Sequence, residues 1–396
     1  VKTRKIRKNS PKNQMHRRFF RIIIVFFAVS AAFFIITQKR KKPVVKPLAL
    51  QKGKSWSGII FKKVTVILPL SGPFTQEGIA AKRGIDLAVA HRNSVEKNVL
   101  AIRFVDWSKT PIDTLTKHSS PDTLYLVHMP CKTLFDFASV HKGSIIIAPA
   151  TSNEILTKLP NVQSLIGTEG DEGCFVARLF LSLSKKTSIG IIVNDTEYGK
   201  VIFRAYRNAI GEQGESIPYI RWKEVKEKEL DTFLNQGLQL LWLCGDPEWI
   251  ITNYTKIKAR GYRGFFLVPR LMDYYFTSEI PKGDIKNFIF LRPYTTDFPS
   301  EENKSFLELY RHKYLDNPNW VAAVFYDAMN LIIKASENRG TSTIVYYGVS
   351  GRYRWDRNGI KGNAFHLAVF RNGLFTTADL NALTVSRHSS WIRERI

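Results

Sequence analysis

The residues able to do chemistry in this chain gather in short segments that follow apolar stretches. Arg270, in Val268-Pro-Arg-Leu-Met272, carries a planar guanidinium of the kind that clamps a carboxylate through two parallel hydrogen bonds. A scaffold role, pairing with Asp246 or Glu248 on a neighbouring loop, fits the same residue, and both readings stay open. Thr151, Ser152 and Asn153 either present hydroxyl and amide groups to a ligand or cap a helix that begins near Glu154. The two roles are compatible, because the unpaired amides of a helix N-terminus attract anions. Glu77 stands in the first turn of an expected helix, where a carboxylate either reaches a ligand or only complements the helix dipole. Ser71, in the turn Ser71-Gly72-Pro73, and Cys131 and Thr133, in His128-Met-Pro-Cys-Lys-Thr133, complete the polar residues on such loops. The aromatic triplet Tyr274-Tyr-Phe276 reads as packing rather than as a binding box.

Enzymatic signatures are missing. The eight histidines are scattered, with no HExxH pair, and neither a GxSxG elbow nor a GxGxxG loop occurs. Gly53-Lys54-Ser55 ends like a phosphate-binding loop but lacks the upstream glycine at the required spacing, so it reads as linker. His128 near Cys131 in one loop does not establish the geometry of a Cys/His nucleophile. The three cysteines, Cys131, Cys174 and Cys244, are too far apart in sequence for a zinc or redox motif and too few for a disulfide framework. No catalysis, cofactor or metal is expected.

Elements must position these loops, and the charge distribution shows where the folded body begins. The formal net charge of +25 points to a nucleic-acid binder until it is mapped along the chain. Residues 1–54 hold 16 Lys and Arg and no acid, the first acid being Glu77; the other 342 residues set 43 basic against 34 acidic side chains. The excess therefore belongs mostly to a tail, and no aromatic-interleaved basic groove follows it, so a nucleic-acid partner is not expected. Within the tail, residues 22–38 form an uncharged apolar run of 17, roughly 25 Å as a helix. The larger basic cluster precedes it, which by the positive-inside rule leaves the N-terminus in the cytoplasm and the body outside. The run reads as a signal anchor in a bacterial inner membrane, with the body in the periplasm; the alternative is a signal peptide cut near Val29-Ser30-Ala31 and a secreted body.

The body alternates short apolar strands with helical stretches. Strands are expected at 63–70, 100–106, 123–128 and 144–148, with helices after Ser71-Gly72-Pro73, after Pro111 and from Lys132. A second series follows the glycine-rich segment 167–173: helix 174–183, strand 188–193, a helix carrying Val201, Ile202, Ala205, Tyr206, Ala209 and Ile210 on one face, strand 238–244, helix 248–260 and strand 264–269. Such alternation implies parallel sheets covered on both faces. The fold class is therefore α/β, with two doubly wound lobes. Ligands of such sheets bind beyond the carboxyl ends of the strands, so the post-strand loops of the two lobes converge on a cleft.

In order along the chain, Val66-Ile-Leu-Pro-Leu-Ser-Gly-Pro73, Ala148-Pro-Ala-Thr-Ser152, Ile191-Ile-Val-Asn-Asp-Thr-Glu-Tyr-Gly199, Tyr326-Asp-Ala328 and Gly348-Val-Ser-Gly351 leading to Trp355-Asp356 and Gly359 resemble the type I periplasmic binding proteins, specifically the leucine/isoleucine/valine-binding receptors of ABC transporters. The resemblance covers residues 59–375. It implies two Rossmann-like α/β lobes joined by three crossovers, near Gly170, Pro293 and Tyr347. Residues 59–170 with 293–346 would form one lobe and 171–292 with 347–380 the other, after a basic tail (1–18), the anchor (19–38) and a linker (39–58) and before a C-terminal tail (381–396). It also implies an extracytoplasmic receptor that closes on an amino acid or related carboxylate, with an ABC permease as partner and the membrane as tether. By the same resemblance Ala150 and Thr151 match the pair that receives a ligand carboxylate, and Tyr198 matches an aromatic wall, either stacked on ligand or packed in the hinge. Two departures stand out: Cys131 or Thr133 occupies the place of a hydroxyl, and Arg270 the place of an ammonium-binding carboxylate. Those departures leave an alternative open, a membrane-anchored sensory or protein-interaction module with a degenerate cleft.

Overall fold

The structure is a computed structural model that describes residues 63–379 apart from 94–99, 112–113, 116–122, 224–225, 274–279, 282, 338–341 and 363–364. The expected tail, anchor, linker and C-terminal tail lie outside the described residues, as does most of the helix expected after Pro111. Among the described residues no helix is long and apolar enough to cross a membrane.

A first set of elements comprises β1 (Lys63–Leu68), α1 (Thr75–Asn93), β2 (Ala101–Asp106), β3 (Leu124–Val127), α2 (Cys131–Val140), β4 (Ile145–Ile147), α3 (Asn153–Lys158) and β5 (Val162–Gln163). Its strands form an all-parallel sheet in the order β2-β1-β3-β4-β5. The period of two is visible in what each side chain touches. Val64, Val66 and Leu68 of β1 enter one core, and Ile67 enters the core on the opposite face. Both faces are thus buried, as a parallel sheet requires.

The second set repeats this plan with α4 (Glu169–Leu183), β6 (Ile189–Val193), α5 (Glu197–Ile210), β7 (Tyr219–Arg221), α6 (Glu227–Leu234), β8 (Leu240–Cys244), α7 (Pro247–Ala259), β9 (Phe265–Val268) and β10 (Phe288–Arg292). Along β8, Leu240, Trp242 and Cys244 face one core while Leu241 and Leu243 face the other. The glycine-rich segment read as a boundary already belongs to α4, which starts at Glu169; Asp171 accepts hydrogen bonds from the Thr168 backbone and hydroxyl at 2.8 and 2.9 Å. β7 and α6 escaped the sequence reading, because a three-residue edge strand carries too short a pattern to register.

The chain then supplies α8 (Glu301–Tyr314) and α9 (Trp320–Glu337) to the first core, followed by β11 (Thr343–Tyr347), β12 (Arg352–Asp356) and β13 (Gly359–Lys361), a small antiparallel sheet. β14 (His366–Arg371) and β15 (Leu374–Thr377) close the second sheet, whose order is β15-β14-β10-β9-β8-β6-β7, with β14 antiparallel to β10. One expected boundary needs correction. The third passage between lobes was placed at Tyr347, yet Tyr353 and Trp355 of β12 are buried in the first core and Ile360 N donates to Gln163 Oε1 at 3.0 Å. The passage therefore falls between β13 and β14. The turn after β11 is a fold-back pinned to the first lobe: the buried Asp327 of α9 accepts from Val349 N at 2.8 Å, Ser350 N at 2.9 Å and the Tyr346 hydroxyl at 3.2 Å.

Helix α1 crosses α9 at Gly84, where a Cβ would lie 2.1 Å from the carbonyl oxygen of Ala322. Backbone cannot yield as a flexible side chain does. Gly84→Ala should lower unfolding stability by about 1–3 kcal/mol in urea titration, whereas Gly143→Ala, where a Cβ meets open space, should stay within about 0.5 kcal/mol of wild type.

Candidate ligand cleft

In the first sheet β1 pairs β2 on one side and β3 on the other, so the connections leave β1 and β3 in opposite directions and open a crevice beyond their carboxyl ends. A cavity of about 580 Å³ occupies that place. Pro69, Pro73, Phe74 and Glu77 reach it from the segment after β1; His128, Met129, Pro130 and Cys131 from the end of β3; Ala150, Thr151 and Ser152 from the loop after β4. Trp107 follows β2, Ile166 and Glu169 sit at the first passage, Pro293 at the second, and Trp320 opens α9. Arg270 and Leu271, after β9, bring the second lobe to the same cavity.

Six of the residues singled out from the sequence line the cavity: Glu77, Cys131, Ala150, Thr151, Ser152 and Arg270. Ser71, Thr133 and Tyr198 do not. The Ser71 hydroxyl donates to Asp106 Oδ2 at 2.7 Å, and the same carboxylate accepts Leu70 N at 3.0 Å, so this serine ties the β1 loop to the end of β2. Thr133 is half-buried on α2. The Tyr198 hydroxyl donates to Glu172 Oε2 at 2.9 Å, in the support beneath the cleft.

Capping at α3 is divided between two adjacent side chains. Ser152 takes the cap, its Oγ accepting Ile155 N at 3.3 Å. Thr151 lines the cavity but is only 5% exposed, and its buried hydroxyl has no hydrogen-bond partner among the described residues. A buried hydroxyl without a partner is unusual in a folded protein and marks a place where one can be supplied.

Arg270 does not pair with Asp246 or Glu248. Asp246 instead caps α7, accepting Trp249 N at 3.0 Å. Arg270 turns to the first turn of α4, with Nη2 3.5 Å from Glu169 Oε1, Nε 3.6 Å from Glu172 Oε2, and its backbone N–H donated to Glu172 Oε1 at 3.1 Å. Glu172 is fully buried, Arg270 and Glu169 nearly so. Burial works against the guanidinium charge, but the Tyr198 oxygen and both carboxylates hold it, raising its pKa above the ordinary value. On the opposite side of the cavity Glu77 Oε2 lies 2.6 Å from His128 Nε2, and the His128 ring stands edge-on to Phe325 at 5.6 Å. Trp107 is locked by a hydrogen bond from Nε1 to the His128 carbonyl at 2.9 Å, with Phe74 6.5 Å from it between centroids.

Phe74, Trp107, Glu169 and Trp320 are among the lining residues that sequence reasoning missed. Trp107 had a signal, since it immediately follows a strand; Trp320, carried by a helix from far along the chain, had none. Among the described residues no group of three or more His, Cys, Asp or Glu is placed to hold a metal ion.

No protein-family model and no curated protein matches the chain. Solved structures do. An ABC transporter substrate-binding protein from Desulfitobacterium hafniense, in complex with Leu, matches with TM-score 0.61 at 17% identity over 80% of this chain and 99% of that one. A leucine binding protein from Thermotoga maritima matches with TM-score 0.59 at 16% identity, over 80% and 97%. An ABC transporter solute binding protein from R. palustris, in complex with 4-hydroxybenzoate, matches with TM-score 0.60 at 16% identity, over 80% and 95%. The chain thus has the type I periplasmic binding fold, and the resemblance read from its ordered motifs is borne out at the level of fold. Two of these neighbours are binding proteins of ABC transporters.

Burial pushes the Glu172 carboxyl up to about 7, against the pull of Arg270 and the Tyr198 hydroxyl. A carboxyl raised on folding contributes stability that is whole below its ordinary value of 4.5 and is lost as pH rises through about 7. Unfolding midpoints in urea should therefore fall more steeply across that interval for wild type than for Glu172→Gln. Equal slopes would show that the carboxyl ionises alike in folded and unfolded chains.

Proposed function

We propose that this chain is an extracytoplasmic solute-binding receptor, which closes its two lobes over a small solute and delivers it to an ABC-type permease. The observation that carries the reading is a cavity to which both lobes contribute and which is lined by Thr151, whose buried hydroxyl has no partner among the described residues. A buried hydrogen-bonding group left unmade costs stability, and a ligand polar group entering the cavity removes that cost. The rest of the wall is largely apolar and aromatic, which suits a solute with an apolar body and one polar end, within the amino acid and carboxylate classes. The Leu and 4-hydroxybenzoate held by the solved neighbours support that range. Glu77, Cys131, Ala150, Thr151 and Arg270 are the proposed ligand-facing residues; Ser71, Thr133 and Tyr198 serve as supports. Closure is a hinge motion at the three passages between lobes, with no covalent step. The permease partner and the N-terminal tether at 19–38 belong to this proposal as well.

A second reading has one observation in its favour. Arg270 directs its charge to Glu169 and Glu172 rather than to the open cavity, as a module whose cleft has lost its ligand would allow. The same chain would then act through a protein partner at the membrane.

Thermal unfolding of the full chain against leucine, phenylalanine, phenethylamine, 3-phenylpropionate, benzoate and 4-hydroxybenzoate separates the two. A receptor gains about 2.7 kcal/mol of stability at a ligand concentration of 100 times Kd, read as a saturable rise in Tm. Thr151→Val, which keeps the shape and removes the hydroxyl, should weaken that ligand roughly tenfold while the unliganded Tm holds or rises. An unchanged Tm across the whole panel would overturn the receptor reading in favour of the second.

A further inference from the structure

Resting on the receptor reading, we propose that His366 is an acid-sensitive clasp at the hinge: neutral, it holds the second lobe to the fold-back of the first, and protonated it releases the lobes into a more open arrangement. Its position gives it that role. His366 opens β14 just past the third passage, and its backbone belongs to the second sheet, where it pairs with Arg292 of β10. The ring reaches the other way. Nε2 donates to the Ser350 carbonyl oxygen at 3.1 Å, in the turn that Asp327 pins to the first lobe. It also stands edge-on to Phe298, 5.0 Å away between centroids, in the second passage. One side chain thus bridges the lobes beside two of the three passages, so turning the lobes about those passages draws its backbone away from Ser350.

The groups around the ring set the sign of its response. Asp327 and Tyr353 stand behind Ser350, Asp297 lies next to Phe298, Arg292 takes the paired position on β10, and the exposed Asp379 follows β15. The Ser350 carbonyl and Asp297 favour a charged ring, but burial outweighs both and lowers the His366 pKa below its ordinary 6.5. The arrangement seen here therefore selects neutral imidazole. A histidine whose pKa falls on burial contributes stability that is whole above 6.5 and is lost as pH falls through the lowered value. Glu172 and Asp327, both raised by burial, act in the opposite sense, since acid favours the arrangement that buries them. His141, also lowered by burial, stacks on Phe137 inside the first lobe and does not bear on the angle between lobes. Acid loosens the hinge through His366.

Small-angle X-ray scattering of the full chain without added solute, from about pH 7.5 down to about pH 5, tests the clasp, with far-ultraviolet circular dichroism recorded alongside. Wild type should show a reversible rise in radius of gyration with its midpoint below pH 6.5 and unchanged dichroism. His366→Gln, whose amide still donates to Ser350 but takes no proton, should show no rise. Residues 1–54 carry no acid, so comparing the two chains cancels their contribution. Asp297→Asn keeps an acceptor for the Thr377 N–H while removing the carboxylate that favours the charged ring, and should move the midpoint to lower pH. If His366→Gln folds poorly, that shift decides. A wild-type radius that holds throughout, the same rise in His366→Gln, a midpoint unmoved by Asp297→Asn, or a rise that comes with lost dichroism would overturn the inference. Because no ligand enters the measurement, each of these leaves the receptor reading standing. A rise that needs His366, together with an unchanged Tm across the solute panel, would support the clasp and overturn the receptor reading alone.

Discussion

A parallel strand buried on both faces has only its ends to offer to chemistry. Everything functional in this molecule follows from that constraint. In the first sheet, cores on both faces take the side chains of β1, β3 and β4, so the polar residues that follow them are collected at one edge. The order β2-β1-β3-β4-β5 then sends the connections from β1 and β3 apart, and the gap becomes a cavity rather than packed core. The second sheet repeats the plan and supplies the facing wall through the segment after β9.

Two fully buried carboxylates hold this arrangement in register. Asp327, on α9, gathers the backbone of the 348–350 turn, and its carboxyl is raised to about 6 by burial despite the hydrogen bonds it accepts. Glu172, on α4, gathers the Arg270 backbone and the Tyr198 hydroxyl. Burying a charged group is costly, and the cost is limited only where partners surround it; removing one partner then leaves an uncompensated charge. Both acids are therefore structural, one setting the fold-back before the last passage and the other the position of the β9 loop. Arg270 shows how support and wall merge: it lines the cavity while its guanidinium lies within 3.6 Å of Glu169 and the buried Glu172.

Much of the cleft was legible because topology forces it to the strand ends. Once the strands ending at Leu68, Val127 and Ile147 were recognised from their apolar runs, Glu77, Cys131, Ala150 and Thr151 followed as residues just beyond them. Orientation was not legible. Ser71 sits on the same loop as Glu77 but turns to Asp106, 35 residues further along. Tyr198 fits an aromatic wall by position, yet its hydroxyl is used by a carboxylate 26 residues earlier. Trp320 lies at the opposite end of the first lobe's sequence and reaches the cavity only because α9 packs along α1 through Gly84.

By itself the sequence determined the class of fold, the alternation of strands and helices, and the loops from which a cleft would be built, because apolar periodicity and strand-helix order are local properties of a chain. Tertiary structure alone decided the partner of Arg270. Sequence proximity favoured Asp246 and Glu248; the folded chain instead brings Glu172, 98 residues away, against its backbone. Charge balance in a buried site depends on which groups share the same small volume, and only the packing of α4 beneath β9 specifies that.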